Sequence, residues 1–221
     1  MEQLSGGGYF GFNNNWLNTR DPFAAATLPY RSNNYGFYLG GPIRPKRASF
    51  FFNLEKGKDD SNSLINANVL NSDLNITSFN SSVSSPQRYI NFTPRVDVQL
   101  DDRNTLIGRY SYSRSSSANA GVGGFSLLSR GFNTSSTEHS VQFTETSVLG
   151  PRTVSETRSQ FVDLVNSRES SNFGLSIDVP GAFTSGGSFR KAFNEYMRAD
   201  ASNVSTLSRQ DHTLRFGGGV H

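Results

Sequence analysis

Apolar side chains recur at every second position in several stretches of the chain, and the stretches come in pairs. In 95–100, Val96, Val98 and Leu100 alternate with Arg95, Asp97 and Gln99. In 105–113, Leu106, Gly108, Tyr110 and Tyr112 alternate with Thr105, Arg109, Ser111 and Ser113, and only Ile107 breaks the polar side. Period two is the mark of a β-strand whose two faces meet different surroundings. The pattern returns in 35–39 (Tyr35, Phe37, Leu39), 48–56 (Phe50, Phe52, Leu54) and 140–149 (Val141, Phe143, with Glu145 on the apolar side). It is more mixed in 154–165, where Thr157, Ser159 and Phe161 oppose Glu156, Arg158 and Gln160. A seventh strand is expected near the end, where His212, Leu214, Phe216, Gly218 and Val220 alternate with Thr213, Arg215, Gly217 and Gly219. Only 189–201 has helical composition.

The connections are unequal. Short turns join the paired strands at 40–47, 101–104 and 150–153. Between and after the pairs lie 57–93, 114–139 and 166–211, crowded with Ser, Asn and Gly and expected as long loops. Short turns on one rim and long loops on the other are typical of outer-membrane β-barrels, whereas soluble β-domains keep most connections short. The fold class expected is therefore all-β: an antiparallel meander forming part of a transmembrane outer-membrane β-barrel. Seven strands are too few to close the smallest such barrel, which needs about eight. An incomplete, open-edged piece of a longer protein is the simplest reading, since open edges invite aggregation. In that setting Arg95, Asp97, Gln99 and Arg109 face a wet lumen, while Val96, Val98, Leu100, Leu106, Tyr110 and Tyr112 face lipid. In a soluble sandwich the same valines would instead lie beneath a second sheet.

Composition agrees with the barrel. Hydrophobic residues make up 34% and charged residues 18% of the 221 residues, so the chain is polar without being highly charged, as a wet lumen inside an apolar band requires. Net charge is +3, and the basic residues are interleaved with acidic ones. Arg44-Pro45-Lys46-Arg47 is the one dense basic run, with no basic stripe of the kind that binds nucleic acid. There is no cysteine, which excludes disulfides, thiolate metal sites and a cysteine nucleophile. The Asn-x-Ser/Thr triplets at Asn75, Asn80, Asn91, Asn133 and Asn203 follow from composition. No stretch approaches the ~20 apolar residues of a transmembrane helix, and 1–8 lacks the basic and apolar regions of a signal peptide.

No constellation suggests catalysis, and no enzyme is expected. His139, His212 and His221 have no metal-ligand spacing and read as strand-end or loop residues. Asp101-Asp102 is turn chemistry, and Gly121-Val122-Gly123-Gly124 precedes no helix that could cradle a phosphate. Catalytic, cofactor-binding and metal residues are all expected to be absent, and no cofactor is implied.

Specific blocks carry a family resemblance. Asn34-Tyr35-Gly36-Phe37-Tyr38-Leu39-Gly40-Gly41-Pro42-Ile43, followed by Phe50-Phe51-Phe52-Asn53-Leu54-Glu55, resembles the first barrel hairpin of TonB-dependent outer-membrane receptors, in particular their Oar-like branch. Asn13-Asn14-Asn15-Trp16-Leu17-Asn18-Thr19-Arg20-Asp21-Pro22-Phe23 resembles the segment leading from plug to barrel. Thr93-Pro94-Arg95-Val96-Asp97, Asn104-Thr105-Leu106, Val179-Pro180-Gly181-Ala182-Phe183 and His212-Thr213-Leu214-Arg215-Phe216-Gly217-Gly218 resemble later blocks in order. The resemblance implies a connecting segment at 1–34 and the N-terminal part of a receptor barrel at 35–221, with extracellular loops at 57–93, 114–139 and 166–211. It also implies residence in the outer membrane of a Gram-negative bacterium, among outer-membrane lipid. The implied partners are a plug domain of the same full-length protein and a TonB complex reached through an N-terminal part not present here. The function implied is uptake of an unidentified substrate; the alternative is a structural or adhesive barrel that displays its loops without transport. No residue matches a ligand motif, so no binding site follows from the resemblance.

Overall fold

The computed structural model describes residues 3–19, 29–189 and 191–221. Its main feature is one antiparallel sheet of nine strands in the order β1-β2-β3-β4-β5-β6-β7-β10-β11, so that neighbours in sequence are neighbours in space. The strands are β1 (Ser5–Asn14), β2 (Arg31–Arg44), β3 (Ala48–Leu70), β4 (Ile76–Gln99), β5 (Asn104–Ala120), β6 (Phe132–Gly150), β7 (Thr153–Ser170), β10 (Ala192–Arg209) and β11 (His212–Val220). A small hairpin of β8 (Ile177–Val179) and β9 (Phe183–Ser185) forms a second sheet. The large sheet is open: β1 and β11 do not pair.

Tight turns at 45–47, 100–103, 151–152 and 210–211 close one rim. In the second of these, Asp101 makes the turn that its sequence suggests: its carboxylate accepts the backbone N–H groups of Arg103 (2.8 Å) and Asn104 (2.9 Å) and the Asn104 side-chain amide (2.7 Å). These donors hold the Asp101 carboxyl below the usual range, the Asn104 side-chain amide being the largest cause. β8 ends at Val179, and the turn that follows is closed by Ala182 N–H bonding back to Val179 C=O at 3.0 Å.

At the other rim the structure departs from expectation. Most of 57–93 is strand, because β3 runs 23 residues and β4 runs 24, paired without a register shift up to the connection at 71–75. The segment 114–139 gives its two ends to β5 and β6 and keeps 121–131 as a connection, and 166–211 contributes the end of β7, the β8–β9 hairpin and all of β10. Ser and Asn runs are poor strand formers alone, but here their side chains pair across the ladder, as in Ser63–Ser85 (2.7 Å) and Ser117–Thr134 (2.8 Å). The helix expected over 189–201 is strand: Ala192–Arg209 pairs with β7 along most of its length, with residue 190 outside the described residues. Tertiary pairing overrides a helical composition. Ser5–Asn14, expected to lead up to the barrel, is also a strand of the sheet, in register with β2. The remainder of that block, 20–23, lies outside the described residues. His139, expected at a strand end or in a loop, sits inside β6.

The described residues contain no conventional core. Buried hydrophobic residues are Ile65, Ala67 and Val122, against which Val69, Val83, Leu127 and Phe183 pack. This cluster lies where the 121–131 connection and the β8–β9 hairpin fold against β3. Backbone bonds from Asn66 to Gly124 (2.8 Å), Gly124 to Leu64 (2.7 Å) and Thr184 to Phe125 (2.8 Å) tie the lobe together. Large apolar side chains elsewhere, including Phe10, Phe37, Val96, Phe143, Phe161 and Phe216, are exposed.

Candidate functional site

Directly opposite residues in a ladder project to the same side of a sheet, so register sorts the side chains into two walls. One row reads Phe50, Val96, Gly108, Phe143, Ser159 and Ala201 from β3 to β10. The adjacent row, on the other face, reads Phe51, Arg95, Arg109, Gln142, Gln160 and Asp200. Val98, Leu106, Tyr110 and Tyr112 join the first face; Asp97, Gln99 and Ser111 join the second. The sheet therefore brings Arg95, Asp97, Gln99 and Arg109 together and separates them from the valines, as the alternation requires.

The apolar wall carries an aromatic ladder over five consecutive strands. Phe37 and Phe52 meet at 6.2 Å, Phe52 and Phe92 at 5.2 Å, Phe92 and Tyr110 at 6.2 Å, and Tyr110 and His139 at 6.1 Å between ring centroids. Tyr110 and His139 also share a hydrogen bond of 2.7 Å, which gives both polar groups a partner on this apolar face. From Ala48 to Lys56 the strand advances about 26 Å at roughly 3.3 Å per residue. Tilted at about 40°, that is about 20 Å of height, close to the ~25 Å apolar band of an outer-membrane barrel.

The opposite wall is polar and balanced. Glu55, Asp59, Asp97, Glu138, Glu156 and Asp200 share this face with an equal number of arginines: Arg95, Arg109, Arg158, Arg168, Arg198 and Arg215. Three pairs close between positions i and i+2 of one strand: Arg95–Asp97 at 2.8 Å, Arg158–Glu156 at 2.8 Å and Arg198–Asp200 at 2.7 Å. Arg95 reaches both Asp97 oxygens, through Nε at 2.9 and 3.1 Å and through Nη2 at 2.8 Å. Two hollows of about 530 and 520 Å³ lie along this wall. Their lining includes Asn34, Gln87, Tyr89, Ser115, Ser117, Thr134, Ser136, Asn166 and Asn194, a surface of hydroxyls and amides. Tyr30 donates to Asp59 Oδ2 at 3.2 Å, while Asp59 Oδ1 is buried without a protein partner.

Tyrosine rings on this wall lie against glycines of the neighbouring strand. Tyr9 opposes Gly36, Tyr38 opposes Gly7 and Tyr89 opposes Gly57. A Cβ at Gly7 would meet the Tyr38 hydroxyl at 2.8 Å, and a Cβ at Gly36 or Gly57 would overlap the Tyr9 or Tyr89 ring. Such aromatic cover supports a ladder where glycine has no side chain to pack. The loop lobe folds over the same wall, since Ile65 and Ala67 share the odd-numbered face of β3 with Phe51 and Glu55.

Neither the glycine–tyrosine pairs nor the same-strand ion pairs emerged from the apolar alternation. The ion pairs leave a readable signal, opposite charges two positions apart in 95–97, 156–158 and 198–200. The glycine–tyrosine pairs leave none without the register. The histidines do not assemble, and no group of His, Cys, Asp or Glu that could hold a metal occurs among the described residues. The glycines at 121–124 serve the lobe: Gly121, Gly123 and Gly124 all have positive φ, at 81°, 128° and 58°, where L side chains are strained. No helix among the described residues is long and apolar enough to cross a membrane.

Comparison with known proteins decides what the two walls face. Residues 61–221 match the family described as outer membrane beta barrel domain. The chain belongs to that family. Its localisation is the outer membrane and the family is non-enzymatic. As an outer-membrane barrel domain it turns the apolar wall to lipid and the balanced wall to the lumen. Among solved structures it is similar to a mutant of the ferric enterobactin receptor from Pseudomonas aeruginosa, with a TM-score of 0.62 and 14% identity over 99% of this chain. The chain spans 31% of that receptor. No match was found among curated proteins.

Proposed function

We propose that this barrel domain is a section of a TonB-dependent outer-membrane receptor of the Oar-like branch, and that the intact protein takes up a substrate still to be identified. In this reading 35–221 is barrel wall, and 1–34, which joins a plug domain to the barrel, already adds β1 to that wall. The observation that carries the reading is the lumen wall. A long face of paired arginines and carboxylates, hydroxyls and amides needs hydrogen-bonding partners, and a plug domain of the same protein would supply them. The similarity in fold to part of a receptor supports the same assignment. β3 to β7 and β10, with 17–24 residues each, are longer than the 9–11 residues needed to cross a membrane, which supports a tall polar vestibule above the bilayer in this reading.

A second reading, a structural or adhesive barrel without transport, is favoured by one feature. Phe125, Leu128, Phe173 and Leu175 on the lobe are exposed and would suit display to another surface. The two readings part at the inner membrane. Full-length protein extracted from outer membranes and mixed with the periplasmic domain of TonB should bind it and cross-link to it. A protein with no affinity for TonB would fall to the display reading.

A further inference from the structure

We propose that Arg31, Lys56, Lys58, Arg88 and Arg114 form a binding site for the phosphate groups of an acidic glycolipid in the outer leaflet of the membrane. Register places all five on the lipid-facing wall of four adjacent strands. Lys56 opposes Ile90 and through it Arg114, Lys58 opposes Arg88, and Arg31 opposes Asp60. They begin one row beyond Phe37, Leu54, Phe92 and Tyr112, at the end of the apolar band remote from the tight turns. Outer-membrane barrels turn their short connections to the periplasm, so the cluster stands at the level of the outer-leaflet headgroups.

Its charge is not compensated from within. The lumen wall carries acids and bases in equal number, several closed within one strand, whereas this cluster has Asp60 as its acid. Lys58 (2.6 Å) and Arg88 (3.1 Å) both hold that carboxylate. Nor is the positive charge a general feature of this height. The same rows continue on β6 and β7 as Thr137 and Val165, then Ser135 and Ser167, and on β10 the first row ends in Glu195. A cluster serving only solubility has no reason to stop at β5.

Four strands at about 4.8 Å spacing give the patch a width of roughly 14 Å, enough for a headgroup with more than one phosphate. Arginine grips phosphate through two parallel N–H bonds, and basic clusters beside a bilayer attract anionic headgroups. A second feature adjoins the cluster on the same face. Arg31 lies 5.9 Å over the Phe12 ring, and Phe12, Trp16, Arg31 and Asp60 help to line an outward hollow of about 700 Å³. Apolar floor and charged rim suit an amphiphile whose chains enter the membrane alongside the aromatic ladder.

The test uses the full-length protein extracted from outer membranes in mild detergent, with retained glycolipid measured by mass spectrometry and phosphate assay. K56Q/K58Q/R88Q/R114Q should retain at least fivefold less than the wild type, while K46Q/R47Q in a tight turn retains as much as the wild type. Equal retention by the quadruple variant, or equal loss in the turn variant, overturns the proposal. Heat-modifiable migration on gels confirms that both variants are folded. Should the quadruple variant not fold, wild-type protein in vesicles decides. Its unfolding midpoint should rise when phosphorylated glycolipid is added, and not with the dephosphorylated glycolipid or with an anionic phospholipid at equal charge. A similar rise with either control overturns it.

Discussion

Two walls of one sheet, built from alternate residues of the same strands, obey opposite rules. Toward lipid, Phe37, Phe52, Phe92 and Tyr110 meet edge to face across strands and need only contact. Toward the lumen, arginine and carboxylate close in pairs and tyrosine lies over glycine. The backbone is common to both, so the difference resides entirely in which neighbour a side chain must satisfy. An exposed phenylalanine is at home on one wall, and on the other an arginine meets water and, at Arg95, Arg158 and Arg198, a carboxylate two residues away. A soluble sheet would bury its apolar wall; here that wall is the exposed one, and the buried apolar cluster is confined to the loop lobe.

The largest effect should come from moving a charge between walls. Phe143→Arg puts a cation on the lipid wall near the middle of the apolar band, at a cost of about 2–4 kcal/mol. Ser140→Arg, three residues away on the lumen wall and opposite the uncharged Ser111 and Val162, should cost less than about 0.5 kcal/mol, as surface changes do. Denaturant unfolding from vesicles checks the pair, and equal costs would break the comparison.

A smaller effect is expected from filling the lumenal glycines. Gly57→Val sets a side chain where the Tyr89 ring lies, and overpacking of this kind costs about 1–3 kcal/mol. Gly57→Val/Tyr89→Ser should recover part of the loss. Gly218→Val is the contrasting site, because a Cβ there meets nothing within 4 Å on the lipid wall; its stability should change little.

How much of this was legible in the sequence follows from the same contrast. Where apolar and polar residues alternate cleanly, as in Val96-Asp97-Val98, the face of every residue was readable before any coordinates. Where both walls leave the membrane, as in 57–89, the outward side chains no longer need to be apolar. The alternation then vanishes while the strand continues, so the outer parts of β3 and β4, beyond 48–56 and 95–100, looked like loop. Gly6-Gly7-Gly8 hid β1 for a related reason, because part of the aromatic cover comes from Tyr38 on the next strand. A wall rich in Ser and Asn has no period to detect, and its pairing emerges only from the ladder.

Two smaller effects sharpen the picture of the polar parts. Asp97→Asn removes the carboxylate that Arg95 grips, and for a half-exposed pair the expected loss is about 0.2–1 kcal/mol. The loss should shrink further as salt is raised. At the tight-turn rim, Asp101 has a depressed carboxyl pKa in the folded state. Its contribution is fully present above the unfolded value of about 3.9 and is lost as pH falls through the lower folded value. Asp101→Asn should therefore remove part of the acid sensitivity of the folded barrel below about pH 4, read as a flatter dependence of the unfolding midpoint on pH.

The central claim is that lipid meets one wall and water the other. The chain has no cysteine, so, with any cysteine elsewhere in the full-length protein replaced, single-cysteine variants at 140, 141, 142, 143 and 144 can each carry a spin label in a lipid bilayer. Collision with oxygen should be high at 141 and 143, and collision with a water-soluble nickel complex should be high at 140, 142 and 144. A reversed alternation, or equal accessibility at all five positions, would contradict the account.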